Sequence, residues 1–179
     1  WVERMRPFTD PDLAFVEGYP ATRASVARKF LRDVSGINGV KNIAFQVKGF
    51  SLDASLPFVV AHAALFAALW AFGVPETYAC WWVGQLFVFP LLVRLRVMSE
   101  HGAVRKSLSP DPRDSVGTTL SGPLARLLVT PNHVNYHVEH HLAAAVPSYR
   151  LPEMHRTLMA RGYYDGATCL APSLLAVVR

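Results

Sequence analysis

Seven histidines sit in this chain of 179 residues, and three of them crowd into five consecutive positions. Residues 130–142 read TPNHVNYHVEHHL. Thr130 is a good N-cap and Pro131 a good first helical residue, so the segment predicts a helix that starts here and stops before Pro147. On that helix His137, His140 and His141 stand at i, i+3 and i+4, within an arc of about 100° on one face. Three imidazoles so placed can converge on one or two metal ions, while Val138 and Glu139 point elsewhere. Imidazole suits zinc, copper, iron and nickel, whereas thiolate sites need cysteine, which the segment lacks. The pattern is not that of the zinc proteases. Those put Glu directly after the first His, where Val138 stands, and the inverted order needs Glu at position 140. The plainer use of such a face is a polar stripe turned to water.

The other histidines have weaker claims. His101 follows a long apolar stretch; if that stretch continues as a helix, His101 stands about 12 Å beyond its apolar edge, within reach of the same site. An ordinary interfacial histidine would occupy the same place. His133 lies one turn before His137 on the expected helix, which permits a ligand or supporting role. His62 falls inside an apolar segment, where a neutral ring hydrogen-bonded between helices is expected. His155 is expected on a solvated helix surface. Glu100 and Glu139 adjoin the candidate ligands and could orient an imidazole N–H, or simply be solvated.

The elements that must position these residues are dominated by two uncharged stretches. Residues 54–75 carry no charge, and after Glu76 neither do residues 77–93. As helices of about 17 to 22 residues they would span roughly 26 to 33 Å, the thickness of a hydrocarbon core. Gly73, Val74, Pro75 and Glu76 make the turn of a helical hairpin. All 18 Lys and Arg lie outside residues 49–93. Lys41 and Lys48 precede the hairpin, Arg94 and Arg96 follow it, and the turn has no basic residue, so both chain ends are expected in the cytosol. Tyr78, Trp81 and Trp82 suit the far interface, and Pro90 should kink the second span. The rival is a hairpin buried in a soluble bundle.

The net charge of +5 is therefore spread over the flanks of apolar segments rather than gathered into a basic stripe, and nucleic-acid binding is not expected. Hydrophobic residues make up 51% of the chain and mean hydropathy is +0.22. Cys80 and Cys169 read as reduced, packed side chains. A helix is expected over 21–34, whose Arg23, Arg28, Lys29 and Arg32 meet lipid headgroups or water. Residues 40–50 read as a connector. Residues 102–131, with Pro110, Pro112 and Pro123, read as loops and short helices, and a last helix over 152–162 precedes an apolar tail. The expected fold is all-α, an integral membrane hairpin with a cytosolic helical cap. Its parts are a pre-hairpin segment (1–50), a two-span hairpin (51–96) and a C-terminal region with the histidine box (97–179).

At this point a resemblance becomes specific. The run NYHVEHHL over residues 135–142 resembles the third histidine box, HxxHH, of the membrane fatty acid desaturases. Val146, Pro147, Ser148 and Tyr149, then Leu151 to His155, follow it much as in that family. Glu100, His101 and Gly102 resemble the family's extra ligand motif. Asp10 to Leu13 and residues 25–33 resemble the segment after its second box. The resemblance implies membrane-spanning helices capped by a cytosolic helical domain in which histidines hold two irons. It also implies dioxygen-dependent removal of hydrogen from an unactivated methylene of an acyl chain. Electrons would come from a small carrier such as ferredoxin or cytochrome b5. On this resemblance His101, His137, His140 and His141 are iron ligands, and apolar walls from the spans and the tail hold the acyl chain of a membrane lipid.

The family's first two boxes and first two spans would precede Asp10, yet residues 1–9 contain no histidine. Val97 stands where the family often has Asn. The chain starts at Trp1 with no cleavable leader, so an N-terminal part is expected to be missing. Four ligands cannot complete a diiron centre, and the chain alone is expected to be catalytically silent. The alternatives to a desaturase-like oxidoreductase are a lipid hydroxylase or ketolase on the same diiron scaffold, a non-enzymatic membrane remnant, and a soluble zinc protein.

Overall fold

The computed structural model describes residues 22–101 and 111–178. The resemblances noted at Asp10 to Leu13 and at Gly102, and the expectation for Pro110, lie outside them. Two compact units emerge, one of Val26–Leu91 and the other containing everything from Leu92 onward.

The first unit holds α1 (Arg23–Val34), α2 (Ile37–Lys48), α3 (Leu52–Ala71) and the first two-thirds of α4 (Pro75–His101). Helix α1 stops at Gly36, whose φ of +80° suits a residue without a Cβ. The expected connector over 40–50 is instead helix α2. Its apolar residues Ile37, Val40, Ala44 and Val47 recur at helical spacing from a start three residues before Val40. Gly39 lets α2 lie directly on α4, since a Cβ there would be 2.7 Å from the Leu86 carbonyl carbon.

Helix α3 opens after extended Ser51, with Asp53 in its first turn where the helix dipole favours an anion. It closes in a Schellman motif: Val74 N–H donates to Leu69 O and Gly73 N–H to Trp70 O, each at 3.0 Å, with Gly73 at φ +73°. Helix α4 begins at Pro75, whose missing N–H costs nothing in a first turn. A π-helical turn over Gly84–Val88 lies just ahead of Pro90. The helix then continues unbroken to His101.

Both α3, at 20 residues, and α4, at 27, are long and apolar enough to cross a membrane. Almost none of either apolar window is buried within the protein. The ring of His62 on α3 is hydrogen-bonded between helices, as expected. Its Nδ1 meets the Tyr78 hydroxyl of α4 at 2.8 Å, and the ring lies 4.2 Å from those of Phe58 and Trp81.

The second unit contains the last turns of α4, then α5 (Pro112–Ser115), α6 (Pro123–Leu128), α7 (His137–Leu142), α8 (Leu151–Ala160) and α9 (Leu174–Val178). The all-α expectation misses one small feature. Strand β1 (Thr118–Thr119) pairs in parallel with β2 (Leu170–Ala171). Around it Val116, Val138, Tyr164 and Cys169 form a small core, with Leu158 of α8 against it. Cys169 is packed there in reduced form, as expected, while Cys80 is exposed.

Candidate metal centre

The strand β1 is the piece that assembles the site. Gly117 N–H donates to Glu100 O at 2.7 Å and Thr119 Oγ1 donates to Ser99 O at 3.0 Å, which fixes the end of α4. From the same strand, Thr118 Oγ1 accepts the Val138 N–H at 3.2 Å, and Thr119 exchanges backbone and side-chain bonds with Asn135 at 3.0 and 2.9 Å. Two residues thus clamp the His101 end of α4 against the box helix α7. Neither residue type announces this. Thr118 and Thr119 are wholly buried, and their hydroxyls do the work that backbone ladders do in a longer sheet.

The box helix is shorter than its sequence suggested. Thr130 makes no cap bond, Pro131–His133 form a 3-10 turn, and Asn132 and His133 both take left-handed backbone, at φ +56° and +59°. Asn tolerates that region; His does so at a cost of about 1–2 kcal/mol. The expected single helix from Thr130 is therefore broken, and His133 is not one turn below His137 on a common face. The Nδ1 of His133 is buried with no hydrogen-bond partner. Helix α7 begins at His137 itself.

On it the three histidines do share a face. The His137 and His141 rings lie 4.5 Å apart, His137 and His140 5.9 Å, and His140 and His141 5.8 Å. His101 joins them from α4, its ring 4.9 Å from His137 and 6.4 Å from His141. All four residues singled out from sequence come together. The Nε2 atoms of His137 and His141 face each other at 3.1 Å. Adjacent donors on one ion with bonds of about 2.1 Å sit roughly 3.0–3.4 Å apart, so this spacing fits two ligands of one metal. Burial pushes the His137 imidazole well below the usual 6.5, helped by repulsion from His141, His101, His140 and Arg96. A neutral ring keeps the lone pair that a metal needs.

Val138 and Glu139 point away from this face, as expected, and are fully buried. Glu139 does not orient a box imidazole. It accepts from Thr118 Oγ1 at 2.6 Å and from the Tyr164 hydroxyl at 2.5 Å, and it meets Nδ1 of His155. His155 is thus no solvated surface residue: its side chain is 12% exposed and anchored to a buried carboxylate. Glu139 is four residues before neither a Lys nor an Arg, and only its fold-dependent partners reveal its role.

Glu100 is buried rather than solvated, and one of its oxygens lies within 4.8 Å of a ring nitrogen of His101 and of His137. Arg96, one turn earlier, donates from Nε to Glu100 Oε1 at 2.8 Å. A cavity of about 530 Å³ opens onto the cluster. Val93, Val97, Val134, Val146 and Leu151 supply apolar lining, and Arg96, Glu100, His101, His137 and His140 supply polar lining.

The donor set fits one divalent ion. Elsewhere among the described residues no second such group of histidines and carboxylates gathers. His62 is engaged by Tyr78 and His155 by Glu139.

Comparison with known proteins adds one match, to the family model described as fatty acid desaturase, over residues 5–172. No curated protein and no solved structure matches the chain.

Proposed function

This chain belongs to the fatty acid desaturase family, and from that premise we propose that its histidine cluster binds iron in a desaturase-like oxidoreductase acting on the acyl chains of membrane lipids. The observation that carries the reading is the convergence of His101, His137, His140 and His141, the first three of which line a largely apolar cavity. What iron would bring, once bound, is the dioxygen chemistry needed to remove hydrogen from an unactivated methylene.

The chain's own contribution is binding and placement. His137 and His141 supply neighbouring nitrogens, His101 a third from another helix, and His140 a more exposed fourth. The valines and Leu151 offer an apolar wall against which a methylene chain loses no hydrogen bonds. Clamping by Thr118 and Thr119 keeps α4 and α7 in register, so the donors are arranged before metal arrives.

The same reading places α3 and α4 across a bilayer as a hairpin. Lys41 and Lys48 before it and Arg94 and Arg96 after it favour a cytosolic side for both ends. An electron carrier such as ferredoxin or cytochrome b5 would dock on that side. Members of this family generally use two irons, and the donors gathered here suffice for one. The chain by itself is accordingly proposed to bind iron without turnover.

The test is iron quantitation on the detergent-solubilised chain, followed by an oxygen-dependent assay with lipid acyl chains, reductant and carrier, products being read by mass spectrometry. Iron bound through the four histidines, with no product, is expected. Normal turnover would overturn the silent-chain proposal, and hydroxylated rather than desaturated products would move the activity to the hydroxylase class. Failure of His137→Ala to reduce iron content would remove the metal reading altogether.

A further inference from the structure

Between Val26 and Leu52 the chain carries five cations, Arg28, Lys29, Arg32, Lys41 and Lys48, against one acid. That acid, Asp33, is fully buried and accepts from Asn38 Nδ2 at 2.5 Å, which fastens the corner between α1 and α2. The charge that this stretch shows to its surroundings is therefore positive. On α1 the cations share one side, and Val26, Phe30, Leu31 and Val34 share the other.

On α2, Ile37, Val40, Ala44 and Val47 fall within an arc of about 80°, with Lys48 and Lys41 along one border of it. Val40 and Val47 are 59% and 68% exposed. The helix is held to α4 through Gly39, where a Cβ would strike the Leu86 backbone, and that contact leaves the strip open. A groove lined by Ile37, Val40, Lys41, Leu86 and Phe87 makes the strip continuous with the apolar surface of α4. Only Gly49, Phe50 and Ser51 separate α2 from α3, so Lys48 lies within about 14 Å of the start of α3. Where α3 enters a bilayer, α2 is at the surface of that leaflet.

We propose that α1 and α2 form a platform for anionic lipid, with the α2 strip in the acyl boundary and the cations of both helices on the headgroups. An amphipathic helix with cations beside its apolar face binds a lipid surface in this way, and anionic headgroups complement the charge. The proposal rests on the placement of α3 and α4 across a bilayer, and adds to it a surface and a lipid class.

The experiment places single nitroxide labels on the full chain, in a Cys80→Ser and Cys169→Ala background, in vesicles of phosphatidylcholine with and without phosphatidylglycerol. Labels at Val40→Cys and Val47→Cys should collide with oxygen more than with a water-soluble nickel complex, at a depth of about 5–10 Å. A label at Asn42→Cys, on the opposite side of α2, should favour nickel, and one at Leu65→Cys in α3 should lie deeper than any of them. Wild type should prefer phosphatidylglycerol over phosphatidylcholine by about fivefold or more, and a variant with Arg28, Arg32, Lys41 and Lys48 all changed to Gln should lose most of that preference. The depth profile decides even where that variant does not fold. A deep Leu65 label with nickel-accessible strip labels overturns the platform while leaving the spans standing. Strip labels shielded from both reagents would mean that protein, such as a second copy of the chain, covers the strip, and would overturn it equally. An unchanged lipid preference in the folded variant would overturn the assignment of anionic lipid. A nickel-accessible Leu65 label would overturn the bilayer placement itself.

Discussion

The hydroxyl of Tyr164 donates to Oε1 of Glu139 across 2.5 Å, linking the box helix to a loop 25 residues later. Thr118 Oγ1 donates to Oε2 of the same carboxylate at 2.6 Å, and Nδ1 of His155 comes from α8. A single fully buried carboxylate thus collects donors from β1, from α8 and from the loop that follows α8. Its position next to His140 makes it the anchor that stops α7 from rolling and turning its imidazoles away from the cavity.

Removing one donor should cost what a hydrogen bond to a charged group is worth. Tyr164→Phe is expected to destabilise by about 1.5–3 kcal/mol. Glu139→Gln presents an amide N–H₂ to groups that all donate, and should cost about 3 kcal/mol or more. Denaturant midpoints check both. A Glu139→Gln protein as stable as wild type would mean that the carboxylate anchors nothing.

Alkaline pH should test the same contact from the other side. Burial, and then the bond to Glu139, push the Tyr164 hydroxyl above its ordinary value of 10.0. A group whose folded-state value is raised gives stability that is fully present below the unfolded value and lost as pH rises towards the folded one. The stability advantage of wild type over Tyr164→Phe should hold below pH 10 and shrink above it, by at most about 1.4 kcal/mol per pH unit. Tyr163 and Cys169 are also raised by burial, but they are present in both proteins and cancel in the difference. An advantage unchanged up to pH 11.5 would contradict the proton-linked contact.

Much of this molecule was legible because its signals are long or repetitive. Two uncharged stretches of span length became α3 and α4, and His101 was reachable because α4 does not stop at the apolar edge. The i, i+3, i+4 spacing survived even though the helix carrying it is only six residues long. What stayed hidden depends on contacts distant in sequence. No local pattern says that His155 meets Glu139, 16 residues away, or that two threonine hydroxyls tie α4 to α7. The cap at Thr130 failed for a related reason. The backbone at Asn132 and His133 turns left-handed, so the helix begins at His137 rather than at Pro131. Helix α2 starts at Ile37, ahead of the residues 40–50 that read as a connector, so its helical periodicity is truncated in that stretch.

Gly39 and Gly84 lie on α2 and α4 and offer a paired test of how those helices pack. A Cβ at Gly39 would run into the Leu86 backbone, which cannot yield as a side-chain tip can, whereas a Cβ at Gly84 meets nothing within 4 Å. Gly39→Ala should therefore destabilise by about 1–3 kcal/mol. Gly84→Ala should be neutral or stabilising by up to about 1 kcal/mol, because alanine loses less backbone entropy in a helix. Thermal unfolding in one detergent ranks them. Equal effects would mean that α2 does not lie against α4.

Metal should stabilise the protein locally as well as globally. An ion held by residues of α4 and α7 binds the folded form and not the unfolded one, so at about 100 times its dissociation constant it should add roughly 2.7 kcal/mol. Because the donors are His101 on α4 and His137, His140 and His141 on α7, slowed amide exchange should concentrate at the end of α4, in β1 and in α7. The amides of α3, which carry no donor of the cluster, should exchange at the same rate with or without metal. A chelator should reverse the protection, and His137→Ala should never acquire it. Protection spread evenly over α3 and α7 would indicate that metal acts by nonspecific association rather than by joining two helices through their imidazoles.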